Sequence, residues 1–199
     1  MRNINQYLTE KFKLNSKSVS KTNNIGSIDT YEFDGKTYNV VCVLNDGDEP
    51  IYMIDDKSHQ AYWITSDDNY NSHYVDVKTK EDDGEFNTNK IAAKYKHVRL
   101  IGNYSNKECA AYCVKELYGN KVYIPSNKEF EEMYKNFKKI NDNLENKLHG
   151  NYWTSTQYAI NRGYYFFVGS KEVNYKGGGY YRDTEKNSSF KIIAFIKLK

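Results

Sequence analysis

Two capping boxes in the middle of the chain constrain its fold more than any other feature. Ser105-Asn106-Lys107-Glu108 and Ser126-Asn127-Lys128-Glu129 each set a hydroxyl three residues ahead of a carboxylate. At that spacing each side chain can satisfy an orphan backbone N–H at a helix start. The first box is followed by Ala110, Cys113, Val114 and Leu117 on one face, with Gly119 as a stop. The second follows Pro125 and leads into Phe130, Met133, Tyr134 and Phe137. Two helices are therefore expected, with a short strand at 121–124 between them. A further helical turn or two is expected across 141–148.

Both flanks of this helical middle read as strand. Residues 30–33 and 36–44 bracket Asp34-Gly35, a pair suited to a type I′ hairpin. Residues 51–54 and 61–65 suggest a second strand pair around Asp55-Asp56-Lys57. Residues 66–89 are polar and acidic and are expected to form long loops. On the other side, 164–168, a Gly169-Ser170 turn, 172–175, a loop at 177–179 and 191–198 again read as strand and turn. Strands, then helices, then strands make a single α+β domain over residues 25–199. Ahead of it, Ile4, Tyr7, Leu8 and Phe12 form an apolar stripe at helical spacing behind Asn3, and a polar linker follows. So short a helix is marginal alone, so residues 1–24 are expected to dock, either on the domain or on another protein.

Composition narrows the function classes. Net charge is +3 with both signs interspersed, which is no footprint for nucleic acid. Lys11, Lys13, Lys17 and Lys21 make the N-terminal tail locally basic, as a solvated face would be; the alternative is docking on an acidic partner. No apolar run reaches the ~18 residues of a membrane span, and residues 1–7 lack the apolar core of a signal peptide. Synthesis in a cytoplasm, without membrane insertion, is expected. Three cysteines argue against a disulfide framework; Cys42, Cys109 and Cys113 read as packing residues. His59, His73, His97 and His149 are scattered, and the acidic loop Glu81-Asp82-Asp83-Gly84-Glu85 lacks the spacing of a calcium loop. No metal, cofactor or catalytic nucleophile is expected, and hence no enzyme.

Tyrosine is the unusual component: 20 residues against 9 phenylalanines. Seven tyrosines and five glycines fall between Asn151 and Tyr181. Tyrosine gives large amphipathic contact area at low entropic cost, so this is the composition of a binding surface. Tyr158, Asn161, Tyr164, Tyr165, Asn174, Tyr175, Tyr180 and Tyr181 are the candidate ligand-facing residues. The alternative is that these tyrosines simply cover a small sheet or pack between subunits.

Two motifs carry a family resemblance: Ile124-Pro125-Ser126-Asn127-Lys128-Glu129-Phe130 and Tyr152-Trp153-Thr154-Ser155-Thr156. Followed by a Gly-turn hairpin and a last apolar strand, they resemble the bacterial and phage branch of the C-type-lectin-like fold. That branch includes surface and tail-tip proteins, some diversified by retroelements in the region of the candidate tyrosines. The likeness covers roughly residues 86–199. The calcium-holding triplets of sugar-binding animal lectins have no counterpart here, and the family's usual Val-Arg-x-Val-Arg ending is Phe190-Lys191-Ile192-Ile193-Ala194-Phe195. The opening residues also look like N-terminal tags on proteins of large Bacteroides-infecting phages.

The resemblance implies a homo-oligomeric virion protein that adheres, without calcium, to a host surface glycan or protein. Its N-terminal helix (Ile4, Tyr7, Leu8, Phe12) would dock on other virion proteins. A structural capsid decoration or fibre subunit is the alternative. Less favoured is a cellular enzyme on the formylglycine-generating fold, whose cysteine pair would be expected on C-terminal loops rather than at Cys109 and Cys113.

Overall fold

The computed structural model describes residues 24–46, 49–57, 59–64, 76–101, 109–169 and 179–198. The stripe of Ile4, Tyr7, Leu8 and Phe12 lies outside these residues, as do Asn174 and Tyr175. Within them the chain is mixed α+β. The strands are β1 (Ile28–Phe33), β2 (Lys36–Asp46), β3 (Glu49–Asp55), β4 (His59–Tyr62), β5 (Gly150–Ala159), β6 (Arg162–Val168), β7 (Gly179–Glu185), β8 (Ser189–Ile192) and β9 (Phe195–Lys197). The helices are α1 (Gly84–Ile101), α2 (Ala110–Tyr118), α3 (Asn127–Lys135) and α4 (Phe137–Asn143). One sheet has the order β1-β2-β3-β9 and the other β4-β8-β5-β6-β7.

The first hairpin forms as its turn chemistry dictates. Asp34 and Gly35 both take positive φ, 49° and 73°, as a type I′ turn requires, and Phe33 faces Lys36 across it. The next pairing differs from expectation. β3 pairs with β2 and β9, whereas β4 pairs with β8 in the other sheet. The Asp55-Asp56-Lys57 segment is thus a crossing between sheets and not a hairpin. Burial explains why: Ile51, Tyr52, Met53 and Ile54 are all buried, and only a strand covered on both faces hides four consecutive apolar residues.

β2 is buried in the same way. Val40 and Cys42 join one core with α1, α2, Trp63 and Trp153. Val41 and Val43 join a second core with Phe130 and Met133 of α3, Ile140 of α4, and Phe166. The first sheet therefore separates two hydrophobic cores.

The largest departure from the sequence reading is α1, which occupies part of the segment expected to loop. Its buried positions are Asn87, Thr88, Ile91, Ala92 and Tyr95, which is helical spacing with polar residues on the inner face. Those polar residues are satisfied. Asn87 Nδ2 donates to the Lys80 carbonyl at 2.6 Å, and Thr88 Oγ1 exchanges hydrogen bonds with the backbone of Ile124. The acidic loop supplies the cap, since Asp83 Oδ1 accepts from the Phe86 N–H.

Ser105 to Glu108, the first capping box, lie outside the described residues. α2 begins after Cys109, which is extended, makes no side-chain cap bond and bridges Tyr62; Gly119 ends it at φ 97°. The expected strand at 121–124 reduces to one bridge between Tyr123 and Phe195. The C-terminal strands also pair differently, with β6 lying between β5 and β7. The expected run at 191–198 breaks at Ile193-Ala194 into β8 and β9, one in each sheet.

The Ser126 box is complete. Ser126 Oγ accepts from the Glu129 N–H, and Glu129 Oε2 accepts from the Ser126 N–H at 2.8 Å. The same carboxylate accepts from the Gly84 N–H at 2.9 Å and from the Tyr123 hydroxyl at 3.1 Å. Burial pushes its carboxyl above the usual range while these donors pull it back. Glu129→Ala would leave three buried donors unmet and should cost about 2–4 kcal/mol in chemical denaturation. Glu129→Gln, which can still accept from both N–H groups and donate to Tyr123, should cost less than half of that. Equal losses for the two variants would sink this account.

Candidate functional site

The candidate tyrosines divide by strand alternation. Tyr164 and Phe166 of β6 share a face with Tyr181 and Asp183 of β7, since Tyr164 pairs with Asp183 and Phe166 with Tyr181. Tyr165 points the other way and packs on Phe190, 4.6 Å between ring centres, against the Trp153 core. Tyr165 is therefore a core-covering residue and leaves the candidate surface. Asn161 sits in the β5–β6 turn, where its carbonyl accepts from the Lys186 N–H. Tyr180 lies in β7 with its side chain outside the described set, and Asn174 and Tyr175 fall outside it entirely.

What remains is a contiguous aromatic face. Phe130 of α3 stacks on Phe166 at 4.5 Å. Phe166 meets Tyr181 edge-on at 6.0 Å, Tyr181 meets Tyr164 at 6.1 Å, and Tyr164 meets Tyr158 at 5.2 Å. Such edge-to-face contacts between rings are mutually attractive. The series runs from the core to solvent, where Tyr158 is 55 % exposed and Tyr181 38 %. The Tyr181 hydroxyl donates to Glu131 Oε2 at 2.9 Å. Burial and that carboxylate push the phenol up to about 12. The hydroxyls of Tyr158 and Tyr164 make no hydrogen bond among the described residues, which leaves both open to a ligand. Arg162 forms an ion pair with Asp183 at one edge.

The face is mounted on a buried polar frame that the sequence does not announce. Trp63 Nε1 donates to the Thr154 carbonyl at 2.8 Å. Thr154 Oγ1 donates to Asn127 Oδ1 at 2.6 Å, and Thr156 Oγ1 accepts from the Asn127 N–H. Gln157 accepts on Oε1 from the Val77 N–H and from Lys186 Nζ, and donates from Nε2 to Asp76. Lys186 is fully buried. Its ammonium also donates to the Ile160 carbonyl at 2.9 Å and lies 4.4 Å from the Trp63 ring centre. Gly163 permits this packing, because a Cβ there would come within 2.7 Å of the Trp63 indole. Only Gly163 carries a usable signal: a glycine inside a strand marks close approach by another group.

A groove of about 440 Å³ opens where the two sheets part, lined in part by Asp55, Asp56, Tyr118, Asn146, His149 and Tyr152. Its polar walls are engaged with one another. Asp55 accepts from the backbone N–H groups of Glu145 and Asn146, Asp56 accepts from the Tyr118 hydroxyl, and the His149 N–H donates to the Tyr152 hydroxyl. The groove is a braced seam, while the tyrosine face carries open polar groups. Cys42, Cys109 and Cys113 are buried free thiols, and burial pushes Cys109 up to about 12. Among the described residues no cluster of His, Cys, Asp or Glu is placed to hold a metal ion, and no helix is long and apolar enough to cross a membrane.

Burial pulls the Lys186 ammonium down to about 7 from an ordinary 10.5, against the opposing attraction of Asp76. Between those values the unfolded chain holds a proton that the folded chain has shed. Lys186 therefore makes stability rise with pH across that window, and the gain is lost as pH falls through about 7. Urea midpoints of the Lys186→Met variant should climb less than wild type from about pH 7 to about 9.5; parallel profiles would contradict the assignment.

Comparison of the chain with models of known families, with curated proteins and with solved structures finds no match.

Proposed function

We propose that this chain is a non-enzymatic adhesion module of a phage particle. A C-type-lectin-like fold would present the Tyr158–Tyr164–Tyr181 face to a host surface glycan without calcium. The observation that carries the reading is the exposed aromatic face itself. Pyranose rings stack their C–H faces on phenol rings, and their hydroxyls need polar groups at the rim. Tyr158 and Tyr164 offer free hydroxyls there, and Glu131 offers a carboxylate already orienting Tyr181. A buried frame holds the three tyrosines on strands and Glu131 on α3, so little ordering entropy is lost on binding.

Support for the fold comes from how the two motifs meet. The Ser155 N–H donates to the Pro125 carbonyl, and Asn127 joins Thr154 and Thr156. The residues behind the resemblance thus form one packed unit. The buried thiols support a non-enzymatic role, because a thiol kept protonated is a poor nucleophile. The particle-docking role belongs to residues 1–24, and a homo-oligomer would multiply weak single-site affinity. One observation favours a structural subunit instead: Tyr158 and Ile160, two residues apart where β5 runs into its turn, are 55 % and 48 % exposed, apolar area that contact between subunits would cover.

Tyr158→Ala combined with Tyr181→Ala removes about 1 kcal/mol of stacking per ring. Binding of the full chain to host cells should fall about tenfold or more, with a cooperative unfolding transition retained at a melting temperature lowered by the lost Tyr181 contacts, and EDTA without effect on wild type. Undiminished binding by the double variant would rule out this face. Protection of Tyr158 and Ile160 in an oligomer that binds no host cells would establish the structural role.

A further inference from the structure

The tyrosine face carries a charge bias that bears on which glycan it takes. Glu131 lies on the exposed side of α3, with one carboxylate oxygen fixed by the Tyr181 hydroxyl and the other open. Glu81 is brought beside the same helix start, where its carbonyl accepts from the Lys128 N–H; its side chain is exposed and makes no hydrogen bond among the described residues. Among the described residues Arg162 is the cation on the strand face, and Asp183 engages it through both an ion pair and a backbone contact. Lys135, one turn on from Glu131, is ion-paired with Glu132 and is attracted by Glu131 as well. Among the described residues Lys128, in the first turn of α3, is a further cation, its backbone N–H on the Glu81 carbonyl. The phenols register the balance. Beyond burial, Tyr164 is pushed up by Tyr158, Asp183 and Glu81, and Tyr181 by Glu131, Glu81 and Tyr164.

Three rings with two exposed carboxylates near them fit a cation better than a neutral or anionic group. An ammonium gains from the negative faces of the phenol rings and from a carboxylate at its edge. A carboxylated or sulfated sugar would meet Glu81 and Glu131 as like charges, which disfavours it.

We propose that the Tyr158–Tyr164–Tyr181 face, with Glu131 and Glu81 at its rim, selects glycans bearing a free amino group over their N-acetylated or acidic counterparts. The inference rests on the glycan-binding reading of this face and adds the ligand's charge class. The open oxygen of Glu131 receives the ammonium, Glu81 supplies longer-range attraction, and Tyr158 stacks on the adjoining sugar.

The test uses the full chain in calorimetric titrations with three probes: the glucosamine tetramer with free amines, its fully N-acetylated form, and tetralysine. The free-amine tetramer should bind about tenfold or more tightly than the N-acetylated one, with the ratio shrinking at high salt. In the combined Glu131→Gln, Glu81→Gln variant that ratio should fall towards one. The amide that replaces the Glu131 carboxylate can still accept from the Tyr181 hydroxyl, so the aromatic face should persist, as judged by an unchanged melting temperature. Equal affinity for both tetramers would overturn the charge selectivity and leave the glycan reading standing. Tetralysine binding as tight as the free-amine tetramer would overturn the assignment to a sugar. Binding of none of the probes would overturn the inference. In that case, host-cell binding that still depends on Tyr158 and Tyr181 would preserve the adhesion reading, and its absence would end both.

Discussion

The carboxylate of Glu129 is the junction on which the architecture depends. It accepts from the first residue of α1, from the residue that caps α3, and from Tyr123, the residue that bridges to β9. One side chain thereby fixes where two helices begin and where the first sheet meets them. A buried carboxylate is tolerated only when donors converge on it, and here three donors from two separate segments, Gly84 and Tyr123–Ser126, do so. The helices need this external definition. α1 is mostly polar and α3 has only nine residues, so neither would persist without a fixed start and a packed face.

From that junction the tyrosine face inherits its rigidity. Asn127, directly after the cap, is held by Thr154 and Thr156 of β5, so the helix start and the strand that carries Tyr158 move together. Phe130, one turn on, stacks under Phe166, and Glu131 beside it restrains Tyr181. Two neighbouring residues of α3 thus serve the core and the surface at once. On the far side of the sheet Trp63 and Lys186 brace the β5–β6 turn, so the face is supported from both sides. A surface held this way suits recognition by stacking, in which preorganisation decides affinity more than buried area does.

Much of this is legible in the residues, and the failures have physical causes. Asp34-Gly35, Gly119, the Ser126 box and the Tyr152–Thr156 motif each act locally, through turn geometry, capping or a single large anchor, and each behaves as its chemistry requires. α1 is hidden because Asn87 and Thr88 occupy its inner face. Their burial depends on partners at Lys80 and Ile124 that no sequence window contains. The crossing at Asp55-Asp56-Lys57 resembles a hairpin in sequence because a strand buried on both faces loses the alternation that would reveal its partner. Tyr165 groups with Tyr164 because composition does not distinguish the two faces of a strand. Lys186 gives no warning at all, since a lysine that ends in the core looks like any other lysine until Trp63, Gln157 and Ile160 close around it.

The break at Ile193-Ala194 also bears on how the chain assembles. β8 closes the second sheet beside β4 and β5, and three residues later β9 closes the first sheet beside β3. Strands laid down early in synthesis must therefore wait for partners from the far end of the described chain, with β3 and its four apolar side chains uncovered in the interval. Low-order local contacts such as the β1–β2 hairpin can form at once, but the two sheets can close only late and nearly together. The molecule thus has a long vulnerable phase before its final strands arrive, during which the exposed edge of β3 invites pairing with other copies.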